Sequence, residues 1–255
     1  MSQIRIDVSI CIDSAILPWQ PFRPQGLPEG LHLRPLRRLD DGCLRSAIVR
    51  IPAGWSSGGN LRLQSRQQFM LLTGKIQLGE LSLQKNCYVC QEADRILPNL
   101  YSDKGAELVL ITDGTPAFST PINDSVEDAP FIIKDALSVP FTQPEMDGWD
   151  LSGVEERSLW KDELSGCETG LLTIPARFEG NGANFHPVNQ EIFCIAGDIG
   201  PDNYRLMKPG WYLWNPAYGV HGFREHSRGG ATVLRWHDGP CTLHMYEEKT
   251  PQTKL

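Results

Sequence analysis

The sequence lacks an excess of positive charge and any long apolar run. Its 255 residues contain 24 Lys and Arg against 31 Asp and Glu, a formal net charge of −7. That balance disfavours a phosphate-backbone partner, so we expect no nucleic-acid binding. No apolar run is long enough to cross a bilayer, and Asp7 and Asp13 interrupt the apolar residues where a signal peptide needs a continuous core. We therefore expect a cytoplasmic protein without a membrane partner.

Long helical periodicity is also missing. Apolar residues occur in short runs separated by turn-forming residues, and the chain contains 24 Gly and 19 Pro. This pattern is typical of short antiparallel strands in sandwiches or barrels. It predicts an all-β fold with little helix.

Cysteine is present, but it does not suggest a disulfide framework. Seven cysteines is an odd number, and they are scattered along a chain that needs no covalent cross-links, so we expect reduced thiols. Cys87 and Cys90 form a C-x-x-C pair in a stretch that predicts a strand. Residues three apart on a strand point to opposite faces, which argues against a shared metal.

The chain contains an internal repeat of roughly a hundred residues, which indicates a duplicated structural module. Segments of the first half recur in the same order in the second half, at offsets of 123 to 125 residues. The join is predicted near residues 115–150, where five prolines cluster with polar residues. The matched segments are IVRIPAGW (48–55) with LLTIPARF (171–178), QQFMLLTGKI (67–76) with QEIFCIAGDI (190–199), and GAELVLITDG (105–114) with GATVLRWHDG (230–239).

One stretch of the second copy concentrates side chains that bind metals. In NFHPVNQEIF we interpret Pro187–Gln190 as a hairpin loop, so that His186 and Glu191 face each other on one side of the sheet. Asn184 lies two residues before His186 and points to the same side. His221 follows the turn NPAYG and completes the set if its strand lies beside this hairpin. Two imidazoles and a carboxylate with open positions suit Fe(II), Mn(II), Ni(II) or Zn(II).

This spacing resembles the two motifs of the cupin superfamily. The tract HPVNQEIFCIAGDI, followed by NPAYGVHG, further resembles the cupins grouped with acetylacetone-cleaving dioxygenase and with the cupin domain of zinc-binding anti-sigma factors. The resemblance implies two tandem cupin barrels (jelly-roll, double-stranded β-helix) and a divalent transition metal. The positions that carry it are Gly180, Asn184, His186, Glu191 and Gly197 in the first motif, and Gly210, Pro216, Gly219 and His221 in the second.

The resemblance also implies a division of the chain. Residues 1–120 are expected to form an N-terminal barrel, residues 121–150 a proline-rich linker, and residues 151–255 a C-terminal barrel with the metal site. Because cupins commonly pair through sheet edges, a homodimer is expected.

The second copy departs from the cupin motifs at two points. Asn184 stands where the first motif has a histidine, and its neutral oxygen is a weaker ligand. The late asparagine of the second motif is not evident after His221, where His226 lies nearby.

The first copy keeps none of the strong ligands, so we expect at most one metal per chain and a structural role or a blind pocket for the N-terminal barrel. The corresponding residues are Leu61 for Asn184, Leu63 for His186, Gln68 for Glu191 and Leu97 for His221.

Three functions are compatible with these observations. The first is a non-haem metal-dependent dioxygenase that binds a small diketone or enol substrate through two oxygens, with Glu191 as a ligand or as a catalytic base. The second is a non-catalytic cupin that binds or senses a metal or a small molecule. The third is a structural or storage-type bicupin, in which His186 and His221 are merely hydrogen-bonded inside a polar barrel.

For several further side chains the sequence leaves more than one role possible. Trp211, Tyr212 and Trp214 either line a pocket or pack in the core. Arg235 holds a substrate carboxylate if it faces inward, but its orientation does not follow from the sequence. His237 lies beside a turn, and we expect it at the surface.

Overall fold

The computed structural model describes residues 4–6, 8–121, 130–144, 150–202 and 205–246. Strand accounts for 52% of the described residues and helix for 3%, which confirms the predicted all-β class. Two 3-10 turns, Ser14–Ile16 and Ala136–Ser138, are the helical elements within the described ranges. None of the described helices has the length and apolar character needed to span a membrane.

The strands of the first half are β1 (Arg5–Ile6), β2 (Ile10–Asp13), β3 (Gln20–Pro21), β4 (His32–Arg38), β5 (Leu44–Ile51), β6 (Trp55–Ser56), β7 (Leu61–Leu63), β8 (Gln67–Leu78), β9 (Leu81–Gln84), β10 (Tyr88–Gln91), β11 (Ile96–Leu97), β12 (Leu100–Ser102), β13 (Ala106–Thr112), β14 (Phe118–Ser119) and β15 (Phe131–Ile133). Those of the second half are β16 (Glu155–Lys161), β17 (Glu168–Ile174), β18 (Phe178–Glu179), β19 (Ala183–Phe185), β20 (Gln190–Gly197), β21 (Trp211–Asn215), β22 (Gly219–Val220), β23 (His226–Ser227), β24 (Ala231–His237) and β25 (His244–Tyr246).

The unit Ser14–Val139 contains a main sheet and a smaller sheet around one apolar core. The main sheet has the order β15-β10-β8-β13-β5-β4-β3, with β6, β9 and β12 attached, and the smaller sheet has the order β11-β7-β14. Leu63 and Leu97 of the small sheet share the core with Val49, Leu71 and Val89 of the main sheet. Burial of these alternating side chains holds the two sheets together.

The second unit consists of Met1–Asp13 and Pro140–Leu255. Its main sheet has the order β16-β17-β24-β20-β21-β2, and the shorter strands form the pairs β18–β23, β19–β25 and β1–β22. Ile192, Cys194, Leu213 and Val233 of the main sheet pack with Phe178 in its apolar core. We refer to the two units as the N-terminal and C-terminal barrels.

The predicted division of the chain is corrected at two places. Residues 10–13 were expected in the N-terminal barrel, but β2 pairs with β21 of the C-terminal barrel. Residues 131–133 were expected in a linker, but β15 pairs with β10 of the N-terminal barrel. Each short strand pairs with a strand that would otherwise leave backbone groups unpaired at a sheet edge, and a composition-based boundary misses such pairing.

The repeat is visible in matching irregularities of the two barrels. β8 has a bulge against β13, and β20 has a bulge against β24. Gly74 and Gly197, related by the offset of 123 residues, have φ angles of +78° and +75°. They lie against the backbone of Gly105 and Gly230, whose φ angles are +86° and +85°. The duplicated sequence thus encodes the same close approach of two strands in both barrels.

Candidate functional site

The C-terminal barrel encloses a cavity of about 280 Å³. One part of its wall is apolar, with Leu172, Ile192, Leu213, Val220 and Phe223 among its residues. The other part carries the polar side chains Asn184, Gln190, Asn215, His221, Glu225, Arg235 and His237.

Asn184 and His221 are brought together by the backbone. Their peptide groups exchange two hydrogen bonds, each 2.9 Å from nitrogen to oxygen. In such a pair the two side chains lie on the same side of the sheet. Both side chains line the cavity, and two of the four predicted ligands therefore converge.

His186 lies beside His221. Their ring centroids are 4.8 Å apart, and the ring planes meet at 60°. Nδ1 of His186 is 2.6 Å from the Val188 carbonyl oxygen, and Nδ1 of His221 is 2.9 Å from that of Gly219. Because a carbonyl oxygen only accepts, both rings carry their proton on Nδ1 and keep a lone pair on Nε2.

Two buried polar atoms of this group have no hydrogen-bond partner within the described part of the chain: Nε2 of His186 and Oδ1 of Asn184. Buried polar groups are nearly always paired, so an unpaired lone pair calls for an explanation such as a bound ion or ligand. Imidazole rings held at Nδ1 by a carbonyl, with Nε2 bare, have the orientation of metal-binding histidines.

Burial keeps the two imidazoles neutral. It lowers the pKa of His221 to about 3, with His186 as a second cause. Burial also lowers the pKa of His186, against smaller opposing effects of the Val188 carbonyl and the Gln190 side chain. At neutral pH neither ring holds a second proton that a cation would have to displace.

Glu191 does not join this group. β20 begins at Gln190, whose side chain lines the cavity together with Ile192, and the alternation of the strand turns Glu191 to the other face. There it is buried, and its Oε2 accepts a hydrogen bond of 2.5 Å from the Tyr212 hydroxyl. Within the described ranges, no three His, Cys, Asp or Glu side chains form a group that could hold a metal ion.

The prediction that Glu191 converges with His186 and His221 is therefore wrong. The assumed hairpin does not exist, because β19 pairs with β25 and not with β20. Side chains face each other across a sheet only in strands that are hydrogen-bonded partners, and β19 and β20 are not.

The N-terminal barrel explains the role of Glu191. Gln68 occupies the equivalent position there, and its Oε1 accepts a hydrogen bond of 2.7 Å from the Tyr88 hydroxyl. The same pair thus exists in a barrel without histidine at the other ligand positions. We interpret the contact between Glu191 and Tyr212 as a structural one.

We expect Glu191→Gln to leave metal affinity unchanged, because the side chain points away from the cavity and glutamine occupies this position in the other barrel. Tyr212→Phe should lower the free energy of unfolding by about 1–3 kcal/mol, since it removes a donor from a buried carboxylate. Chelator competition and urea denaturation measure the two effects. A loss of metal by Glu191→Gln would return Glu191 to the ligand set.

A chain of hydrogen bonds fixes the polar wall. The Ser9 hydroxyl donates to Oδ1 of Asn215 (2.6 Å), whose Nδ2 donates to Oε1 of Gln190 (2.8 Å). Gln190 Nε2 donates to Nε2 of His237 (3.0 Å), and His237 Nδ1 donates to Oε1 of Glu168 (2.9 Å). Each amide and imidazole therefore has a defined orientation toward the cavity.

His237 is 2% exposed and lines the cavity, so the prediction of a surface position is wrong. Its ring centroid lies 5.5 Å from that of His186. Burial lowers its pKa to about 4, although the hydrogen bond with Glu168 opposes this shift. The sequence did contain a signal: His237 directly follows the largely apolar run VLRW, which is typical of a buried strand, and it is the last residue of β24.

The structure also gives the surroundings of Arg235 and of the three aromatic residues that precede His221. Arg235 reaches the cavity, where it forms ion pairs with Glu156 and, at 3.0 Å, with Glu168. None of the three described aromatic side chains of this strand, Trp211, Tyr212 and Trp214, lines the cavity.

The N-terminal barrel has an apolar interior, as predicted from its leucines. Its cavity is about 70 Å³, and Leu61 and Leu97 line it. Leu63 is buried in the core beside them.

No family model matches this chain, and no curated protein matches it. Solved structures do. A "putative dioxygenase" from Nostoc punctiforme superposes with a TM-score of 0.83 at 18% identity, over 94% of this chain and 87% of that protein. Oxalate decarboxylase from Lactobacillus farciminis gives 0.55 at 11% identity, over 96% and 89%. Salicylate 1,2-dioxygenase from Pseudoaminobacter salicylatoxidans, in complex with gentisate, gives 0.54 at 8% identity, over 80% and 72%.

These likenesses confirm the predicted fold of two tandem cupin barrels. At such identities they establish the fold alone. The likeness to the acetylacetone-cleaving group stays a prediction from the sequence.

Proposed function

We propose that the protein is a metal-dependent cupin enzyme whose C-terminal barrel holds one divalent transition metal through His186 and His221, with Asn184 as a third, neutral donor. The observation that carries this proposal is the pair of buried neutral imidazoles, each fixed at Nδ1 by a carbonyl, beside an unpaired amide oxygen. Such donors fit Fe(II), Mn(II), Ni(II) or Zn(II). Without a carboxylate ligand, the affinity should be moderate.

The proposed substrate is a small diketone or enol. The cavity has room for a small molecule, and its apolar wall suits a hydrocarbon part. Both arginines that line it are already paired, Arg205 with Asp202 and Arg235 with Glu156 and Glu168. A free carboxylate would therefore find no unpaired positive charge on the described cavity wall, which favours neutral or enolic oxygens.

The residues of the chain would bind and orient this substrate. The amides of Gln190 and Asn215, fixed by the hydrogen-bond chain, offer defined polar contacts, and the apolar wall excludes water. A divalent metal in this position would polarise substrate oxygens and, if redox-active, permit reaction with dioxygen.

The proposal is tested by loading the metal-free full-length protein with Fe(II), Mn(II), Ni(II) or Zn(II) and dialysing it. We expect up to one equivalent per chain. The Fe(II) form should consume oxygen when acetylacetone or a related diketone is added. Two equivalents that survive dialysis, or none, would contradict the proposed site.

A second candidate function is a non-catalytic protein that binds a metal or a small molecule. The orientation of Glu191 away from the cavity favours it, because the site then lacks an anionic ligand. This candidate predicts ligand binding without oxygen consumption by any metal form.

Asn184→His is expected to raise metal affinity by about tenfold or more, because imidazole nitrogen is a stronger donor than an amide oxygen for these metals. Asn184→Leu, which copies the N-terminal barrel, should lower it. Competition with a chelator measures both. Equal affinities of all three proteins would exclude position 184 from the site.

A further inference from the structure

Glu225 lies at the boundary of two spaces in the C-terminal barrel. It follows the turn after His221, where its backbone nitrogen donates to the Gly222 carbonyl (3.1 Å) and its carbonyl accepts from Gly180 (2.7 Å). Its side chain lines both the cavity and a cleft that opens at the surface. The backbone contacts fix the position of this carboxyl group.

The described wall of the cavity includes two carboxyl groups, Asp202 and Glu225. Asp202 is bound by Arg205, whose Nε donates to Oδ2 at 2.5 Å. Glu225 forms no side-chain hydrogen bond or ion pair with any described residue. A carboxyl group that faces a cavity without a partner is available to a ligand.

Burial alone raises the pKa of Glu225 to about 7. None of the charged or titratable groups around it shifts that pKa. Those that line the cavity are Asp202, Arg205, His221, Arg235, His237 and Cys241, and those that line the cleft are Arg177, Glu179, Arg224, His226 and Arg228.

We propose that Glu225 is the acid–base residue of this cavity and that its carboxylate takes the proton of an enolic ligand bound there. In this step the enol O–H bond breaks, a new O–H bond forms on a carboxyl oxygen of Glu225, and the ligand stays in the cavity as the enolate. The choice of ligand rests on the proposed function, whereas the unpaired carboxyl group is a feature of the cavity itself.

Glu225 combines a position on the cavity wall with a proton affinity suited to neutral pH. A group that is half-protonated near neutral pH can both accept and return a proton, which is the condition for acid–base catalysis. Glu225 is the described cavity carboxyl that no cation neutralises. His186 and His221 would hold the metal in the proposed function, and burial lowers the pKa of His237 to about 4, so His237 is a weak base. Among the described side chains of the cavity wall, Glu225 is therefore the strongest acceptor for the proton of a ligand.

The test counts protons when Zn(II)-loaded, full-length protein binds acetylacetone. Zn(II) is chosen because it adds no redox chemistry. Calorimetry is run at about pH 8, where the free carboxyl is mostly ionised, in two buffers of different ionisation enthalpy. We expect the wild type to release close to no proton, because the negative charge of the enolate formed beside Glu225 raises the pKa of its carboxyl above that pH in the complex, so Glu225 keeps the proton. Glu225→Gln should release about one proton per ligand, and Glu225→Asp, which retains a carboxyl, should restore the wild-type count.

A second readout does not depend on the ligand. In protein labelled with carbon-13 at the glutamate carboxyl carbons, we expect one signal to titrate near pH 7. It should be missing from Glu225→Gln and present in Glu179→Gln, the matched control, since Glu179 is an exposed carboxyl of the neighbouring cleft. Circular dichroism verifies that the variants are folded.

The outcomes separate the two proposals. Equal proton release by wild type and Glu225→Gln, or a titration near pH 7 that persists in Glu225→Gln, overturns the role of Glu225. Absence of acetylacetone binding by the wild type overturns the proposed ligand class, and with it the proton transfer named here. Proton retention by the wild type and release by the variant supports both.

Discussion

His221→Ala and His186→Ala are each expected to lower the affinity of the C-terminal barrel for Zn(II) by at least about a hundredfold, because each removes one of two imidazole donors. The remaining imidazole and the neutral amide of Asn184 are too few to retain the ion. Competition with a chromophoric chelator measures the affinities of the full-length proteins.

His226→Ala is the matched control for this prediction. His226 lies five residues after His221 and lines the surface cleft instead of the cavity, and its Nδ1 is 3.1 Å from the Arg224 carbonyl. Its replacement should leave the affinity for Zn(II) unchanged. His221→Asn, which keeps a polar side chain in the cavity, guards against loss of folding. Retention of wild-type affinity by the His186 and His221 variants would contradict the proposed site.

Gly197→Ala is expected to destabilise the C-terminal barrel by about 3 kcal/mol or more, the sum of backbone strain and overpacking. Gly197 has a φ of +75°, and an added Cβ would lie 2.8 Å from the carbonyl carbon of Gly230 and 2.9 Å from Cα of Ala231. Real Cβ atoms essentially never come within 3.0 Å of such neighbours. The contacted atoms belong to the backbone of a paired strand, so their displacement costs more energy than that of a flexible side chain.

Two further substitutions separate the causes. Gly42 also has a positive φ, +84°, but an added Cβ would meet nothing within 4 Å, so Gly42→Ala should cost only about 1–2 kcal/mol from strain. Gly74→Ala should be as damaging in the N-terminal barrel as Gly197→Ala is in the C-terminal one. Guanidinium denaturation measures the free energies of unfolding. A Gly197→Ala cost no larger than that of Gly42→Ala would show that the close approach of the strands is not required.

The fold could be predicted because the information that specifies it is local and is present twice. Short apolar runs end at glycines and prolines, and the two copies repeat the runs and the glycines at nearly constant offsets. Gly74 and Gly197 then prove to have the same conformation against the same neighbouring strand. A pattern that specifies turns and alternation therefore predicts strands and their approximate order.

The site could be predicted only in part, because ligands converge through pairings distant in sequence. Asn184, His186 and His221 come together, but Glu191 was assigned to the wrong face because β19 pairs with β25, some sixty residues away in sequence. No local pattern specifies that pairing. The sequence repeat did contain a signal, because the first copy has the polar Gln68 at the position of Glu191 although it lacks the histidine ligands. In the structure Gln68 binds Tyr88.

His237 and Glu225 were missed for a related reason. Both lie beside turns, where sequence patterns predict exposure, yet the packing of other strands around them makes them part of the cavity wall. The second cupin motif has its asparagine four residues after the histidine, and this chain has Glu225 there. The motif position itself therefore indicates a polar side chain at Glu225.

The most direct measurement of the central claim is X-ray absorption spectroscopy at the zinc edge of Zn(II)-loaded, full-length protein. We expect two imidazole ligands among nitrogen and oxygen donors in the wild type. In His186→Ala and His221→Ala, we expect one imidazole ligand on whatever Zn(II) the protein retains at high loading. A wild-type spectrum without imidazole scattering, or one that His221→Ala leaves unchanged, would contradict that claim.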